Sequence, residues 1–382
     1  MARSRRSYAT SLATAALVAA IAAAPAASAQ VPVPTDNAFA IPGASIDYWA
    51  PALLNRFNPW ADDGPLVAQI NAHYYDCTGC SSIVVRYPRT AGPLFGPGAP
   101  FADRSIAIGA SVAIDDVRNA MGSSVIAGLS LGAITAGATQ QALDADPLGP
   151  NRSHVAFIVA GDPSRVTPLS MGLGSFMPAG WRIPLLGWTV TRPPSESVYD
   201  TVVVVGEYDL VADFPDRPWN LLAVFNAVAG MAYVHSQSAL STPTAVPPEN
   251  ITSTTNSNGA ITTTYLVPSP QLPLLKPFNG ILSPSVITTA NDVLKPIVDR
   301  GYSRNDAENG NRMPYLESTD GLPELVVPSD SLQPAPTTRD INPTSSRTPA
   351  RTPRPAPAAA AAVGHSPPPQ TAPRPRAGDH RR

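Results

Sequence analysis

Ser130 stands between two glycines, in Gly128-Leu129-Ser130-Leu131-Gly132. An apolar run (residues 123–128) meets an Ala-rich stretch of helix-forming composition (131–145) at that point. A serine hydroxyl becomes a nucleophile when a base takes its proton and an acid orients that base. A strand-to-helix turn with small neighbours forces such a serine outward, and its partners then follow in the chain order acid, histidine. The chain has five histidines. His73 precedes the serine, His154 falls at the wrong end of a strand, and His365 and His380 lie near the C-terminus. His235, at the end of the helical stretch "NAVAGMAYVH", follows both the serine and a run of acids, so it is the expected base.

The orienting acid should follow a late strand. "TVVVVGEYDLVADFPD" offers Glu207, Asp209, Asp213 and Asp216. Asp209 comes just past the β-branched run and is the expected acid. Asp213 suits a turn or a helix cap, and Asp162, after "VAFIVAG", is the alternative from a neighbouring strand. The oxyanion that forms on a substrate carbonyl needs backbone N–H donors. Leu131, directly after the nucleophile and at a helix N-terminus, should supply one. The loop "AIPGASID" should supply the other, from Ala44 or Ser45, with Gly43 allowing close approach.

These residues need elements to hold them. Val/Ile-rich runs at 38–43, 81–88, 123–128, 153–162 and 200–209 read as strands. Stretches of helical character fall at 48–57, 63–75, 103–121 and 131–145. This alternation predicts a doubly wound, mostly parallel sheet with helices on both faces, and a site at the carboxyl ends of its strands. Residues 164–197 hold Gly, Pro, Met and two Trp without clear period, which predicts a lid-like insertion or a binding wall. Met171, Phe176, Met177, Trp181, Leu185, Leu186 and Trp188 could cover an acyl chain there, or simply pack. The Thr-rich stretch 250–267 carries Asn258-Gly259, a hairpin signal.

The ends differ in kind from the middle. Arg3, Arg5 and Arg6 precede an Ala/Val/Leu/Ile run and Ala27-Ser28-Ala29, the pattern of a cleavable export signal over residues 1–29, of Sec or twin-arginine type. The domain is expected over 30–305. Residues 306–382 become Pro/Ala/Thr/Ser-rich with scattered Arg and are expected to be a disordered tail, in one reading a tether to an anionic cell envelope. A formal net charge of −2 argues against nucleic acid as partner. Cys77 and Cys80 are the two cysteines, and in an exported chain they read as a local disulfide. A zinc site would need two further ligands at sensible spacing, so no metal or cofactor is expected.

The residues also carry a resemblance. "GLSLGA" after a strand, "GEYDLVADFPD" before "NAVAGMAYVH", then "SNGAITTTYLVPSPQLPLL" and "IVDRGY", resemble the PE-PPE domain. This is a cutinase-like family of serine α/β-hydrolases from mycobacteria and related actinobacteria, and "YPRTAGPLFG" and "FADRSIAIG" also match its pattern. The resemblance covers about residues 36–303. It implies an α/β-hydrolase fold and carboxylic-ester hydrolysis or acyl transfer through Ser130, Asp209 and His235. Gly132 stands where the family usually has Ser, and "IPGASID" stands where it has a Gly-Gly-Thr-Gly run. The expected activity is that of a secreted esterase or lipase on acyl-ester or lipid substrates. An acyltransferase acting on trehalose-type glycolipids is the second reading, and a non-catalytic envelope-binding module the third.

Overall fold

A computed structural model describes residues 35–45, 73–77 and 79–306. The expected export signal, the helical stretch expected at 48–57, most of that at 63–75 and the expected tail from 307 onward lie outside the described residues.

Among the described residues, seven strands form one sheet: β1 (Asn37–Ile41), β2 (Ser81–Val84), β3 (Ser124–Leu129), β4 (Val155–Ala160), β7 (Thr201–Gly206), β8 (Ile251–Thr255) and β9 (Ile261–Val267). Their order across it is β2-β1-β3-β4-β7-β9-β8. Every pairing is parallel except β8 with β9. The expected hairpin is present, with Gly259 at φ 78° in its turn. Its second strand joins β7 in parallel, so the hairpin widens the main sheet instead of standing apart.

β3 and β7 are buried at every position, which is why they read as unbroken apolar runs. The period of two sends alternate residues to opposite faces. Phe39, Ile126, Phe157 and Val203 pack beneath α1 (Ala102–Asn119) and α2 (Leu131–Asp144) with Ala113, Val117, Ala136 and Leu143. Ala38, Ala40, Val125, Ile158 and Val202 line the other face with Tyr74, Tyr75, Ala239 and Val246. Two further helices, α3 (Leu221–Tyr233) and α4 (Pro284–Asp299), share a separate apolar cluster with Tyr208 and Tyr302. Sequence periodicity did not single out α4.

The chain leaves β1 for β2 on one side and returns to β3 on the other. The crevice at the carboxyl ends of β1 and β3 is therefore the topological switch point, where open α/β sheets hold their ligands.

The insertion after β4 is a wall built onto the domain. Leu173 N–H donates to Val211 O (2.8 Å) and Phe214 N–H to Met171 O (2.8 Å), tying it to the segment after β7. Phe176 meets Phe214 edge to face at 5.3 Å. The buried Arg192 guanidinium donates to the carbonyls of Gly174, Ser175 and Met177. A two-stranded hairpin, β5 (Arg182–Ile183) and β6 (Trp188–Thr189), completes it. Of the apolar residues expected to cover an acyl chain, Met171 and Trp188 are core, whereas Trp181 and Leu185 are exposed.

Candidate active site

Ser130 follows β3 at φ 57°, ψ −117°, in a region that a non-glycine residue enters only when its surroundings compel it. Two close approaches compel it here. A Cβ on Gly128 would stand 2.2 Å from Gly132 O, and a Cβ on Gly132 would stand 2.0 Å from Ile41 O. Both glycines are thus required by backbone packed on backbone. Ser130 N–H donates to Ala160 O at 2.9 Å, which fixes the turn to the end of β4. The Ser130 carbonyl is the first acceptor of α2, taken by Ala133 (2.9 Å) and Ile134 (3.2 Å). The Leu131 amide stands ahead of that ladder, at the positive end of the helix.

His235 follows α3 and is 3% exposed, and Asp209, in the turn after β7, is wholly buried. His235 Nδ1 lies 2.7 Å from Asp209 Oδ2. The other carboxylate oxygen, Oδ1, accepts from Val211 N–H at 3.0 Å. The imidazole rests on Gly161, where a Cβ would come within 2.8 Å of its Cε1. Gly161 directly follows the carbonyl that anchors Ser130. The serine turn and the His235–Asp209 pair therefore meet at the end of β4.

The competing acids are engaged elsewhere. Asp162 accepts from Ser164 N–H (2.9 Å) and Oγ (2.6 Å) with one oxygen and pairs with Arg165 Nε (3.0 Å) through the other. Asp213 pairs with both terminal nitrogens of Arg304, at 2.5 and 2.9 Å. Burial pushes the Asp213 carboxyl up to about 6, against the pull of Arg304. Burial also lowers the Arg165 guanidinium, which Asp162 opposes. The other two histidines among the described residues are engaged or placed elsewhere: His73 Nδ1 meets Ser241 O (3.1 Å), and His154 precedes β4 at its amino end.

The two expected donors of the early loop separate. Ser45 N–H donates to Arg89 O at 2.9 Å, so this amide is already engaged and not the free donor expected. Ala44 packs instead in the cluster of Leu131, Ile134 and Trp188, beside Phe95, Met177, Ile183 and Leu186. Two residues that motif reasoning did not single out hold this loop. The Tyr87 hydroxyl donates to Pro42 O, and Arg89 Nε donates to Gly43 O at 2.9 Å. The only signal was "YPR" within a quoted stretch of the family pattern.

At the amino end of the sheet, Cys77 and Cys80 are joined as a disulfide, with Cα atoms 5.0 Å apart.

Comparison with known proteins gives the family of the chain. The PE-PPE domain pattern matches residues 78–303. The SL1278 acyltransferase Chp1 of Mycobacterium tuberculosis is 36% identical over 295 residues, 76% of this chain and 70% of that protein. The diacyltrehalose acyltransferase Chp2 of the same organism is 39% identical over 54% of this chain and 58% of its own length. Its esterase PE16 is 32% identical over 53% of this chain and 38% of its own length. The extent of the domain match, together with the Chp1 likeness along most of both proteins, places this chain in the PE-PPE domain family.

Proposed function

We propose that this chain is a serine enzyme that moves acyl groups through an acyl-enzyme on Ser130. His235 takes the hydroxyl proton as Oγ bonds to the ester carbonyl carbon. Asp209, on Nδ1, holds the imidazole in the tautomer whose Nε2 accepts that proton, and it stabilises the cation that results. The Leu131 and Ala44 amides receive the oxyanion. Collapse breaks the bond to the leaving alcohol, which takes the proton from His235. An acceptor hydroxyl then repeats the sequence in reverse. The observation that carries this reading is the buried 2.7 Å His235–Asp209 pair lying on Gly161, next to the carbonyl that anchors Ser130.

The substrate side is apolar. Phe95, Met177, Ile183 and Leu186 pack, as Ala44 does, against the cluster that holds Leu131, and an acyl chain entering the oxyanion site would lie along them. The two relatives named as acyltransferases match at higher identity than the one named as an esterase. That favours a hydroxyl acceptor on an acylated sugar of the diacyltrehalose type, with water as the second acceptor. Export belongs to the same proposal and is supported by the Arg-led apolar run ending at Ala27-Ser28-Ala29.

The test is to treat the purified protein with a fluorophosphonate probe. A separate, unlabelled sample is supplied with p-nitrophenyl acyl esters of rising chain length, with and without diacyltrehalose. The expected result is a covalent label on Ser130 and an acylated sugar product when acceptor is present. A protein that takes no label and releases no nitrophenol would end the proposal. Free acid as the sole product, with acceptor present, would turn it to the esterase reading.

A further inference from the structure

The turn that carries Asp209 is held by a network that begins far away in the chain. β7 ends at Gly206, and Tyr208 then takes φ 68° while wholly buried. A buried aromatic residue in the left-handed region is strained and stays there only when it is gripped. The grip comes first from Asp213. Its Oδ2 accepts from Tyr208 N–H at 2.7 Å, and its own N–H donates to Asp209 O at 2.9 Å. Asp213 therefore holds the backbone on both sides of the peptide that joins Tyr208 to Asp209.

Asp213 is fixed in turn by Arg304. The guanidinium meets both carboxylate oxygens, lies over the Tyr302 ring at 4.4 Å and donates to Leu169 O at 3.2 Å in the insertion. The Tyr302 ring meets the Tyr208 ring edge to face at 5.4 Å. The Tyr208 hydroxyl donates to Asp299 Oδ1 at 2.5 Å and accepts from Lys295, both on α4. From the opposite side, α3 comes so close that a Cβ on Gly230 would stand 1.9 Å from Tyr208 O. α3 is also the helix that delivers His235.

We infer that Arg304 and Asp213 are positioning residues for the acid–base pair: their bidentate contact sets the Tyr208–Asp209 turn so that Asp209 Oδ2 meets His235 Nδ1. The inference rests on the proposed role of Asp209 and adds residues that act only through it. A packing role alone would make the folded protein scarcer without changing each folded molecule. A positioning role lowers turnover per folded molecule, leaves substrate binding alone and disappears once Asp209 has no carboxylate to aim.

The experiment compares Arg304→Lys, Arg304→Gln and Asp213→Asn, each in the wild-type and in the Asp209→Asn background. Nitrophenyl-ester kinetics are normalised to the folded fraction read by near-ultraviolet circular dichroism. Lys keeps the charge without the fork, so kcat should fall about 10-fold for Arg304→Lys and about 100-fold for Arg304→Gln, with KM within about 2-fold. Asp213→Asn keeps an acceptor for Tyr208 N–H and should fall near Arg304→Lys. In the Asp209→Asn background the same changes should cost less than about 2-fold more, the non-additivity of residues acting as one unit. If Arg304→Gln does not fold, the two milder variants carry the test. Unchanged kcat per folded molecule in those two, or equal losses in both backgrounds, would overturn the inference. Should Asp209→Asn itself keep full activity, the proposed acid fails, and the outcome is told apart by that single control.

Discussion

Two turns at the carboxyl edge of one sheet hold strained residues by opposite means. After β3, Ser130 at φ 57° is held by absence: Gly128 and Gly132 have no Cβ, so backbone packs on backbone. After β7, Tyr208 at φ 68° is held mainly by presence: Asp213, Tyr302 and Asp299 contact it and Arg304 fixes Asp213, with Gly230 alone giving way on the side of α3. A turn made by small residues is rigid because no rotamer can relax it. A turn made by a side-chain network depends on each member and can be weakened one atom at a time. The nucleophile, whose backbone must also aim an oxyanion donor, has the first kind, and the acid has the second.

The largest effect should come from the chemistry that the glycine turn presents. Ser130→Ala keeps the backbone and removes the attacking oxygen. Turnover of a nitrophenyl ester should fall by about 10⁶, as for a nucleophile acting within a triad. Fluorophosphonate labelling should vanish while the circular dichroism spectrum is kept. A label that persists on another serine would move the nucleophile elsewhere.

The acid turn should answer next. Asp209→Asn retains shape but presents the wrong hydrogen-bonding partner to His235 Nδ1, and turnover should drop by about 10⁴. Asp162→Asn is the matched control. It leaves the buried Arg165 without its anion, which should cost stability, about 3 kcal/mol, with turnover per folded molecule within about 10-fold. Urea denaturation beside steady-state kinetics separates the two. The reverse pattern would make Asp162 the acid.

Gly161 lies where the two turns meet, and it sharpens the contrast. Gly161→Ala adds one carbon at φ 61°, 2.8 Å from His235 Cε1. The imidazole must move by several tenths of an ångström, and since a shift of about 1 Å costs about 100-fold, turnover should slow about 10-fold. KM should stay near the wild-type value. A fully active variant would show that the imidazole has room to spare.

The same contrast explains what could be read in advance. The serine turn was legible because the small residues that permit it lie within five consecutive positions, although the backbone they meet, at Ile41 and Ala160, comes from β1 and β4. His235 and Asp209 were legible by chain order and by the end of a Val run. The supports were not. Arg304 is 91 positions from Asp213, and Arg89 is 46 from Gly43. No local pattern marks an arginine that will meet a buried carboxylate across the fold. Asp213 shows the limit most directly. Its sequence context suits a turn or cap, and it does accept a backbone N–H, but its partner is Tyr208 at the acid turn. For the same reason the hairpin at 251–267 was visible in Asn258-Gly259, whereas its parallel union with β7 was not. Ser45 was read as a donor because loop position says nothing about Arg89 O.

The smallest effect should come from the edge farthest from both turns. The disulfide closes just before β2 begins at Ser81, at the amino end of the sheet. There Ser81 N–H donates to Asp36 O and Thr35 N–H to Asp76 O, each at 2.9 Å, so the backbone around the two cysteines is already joined to the start of β1. A cross-link between residues 3 apart in sequence removes little freedom from the unfolded chain. In the chain-entropy picture that is about 2 kcal/mol. Cys77→Ala with Cys80→Ala should therefore lower the urea midpoint modestly and leave turnover and KM within about 2-fold of wild type. The strands transmit no slack to their far ends, because β1 is paired on both sides along its length. A loss of turnover by about an order of magnitude, at a fully folded fraction, would mean that the amino edge sets the register of β1 and, through Ile41 and Pro42, the crevice in which Gly132 sits.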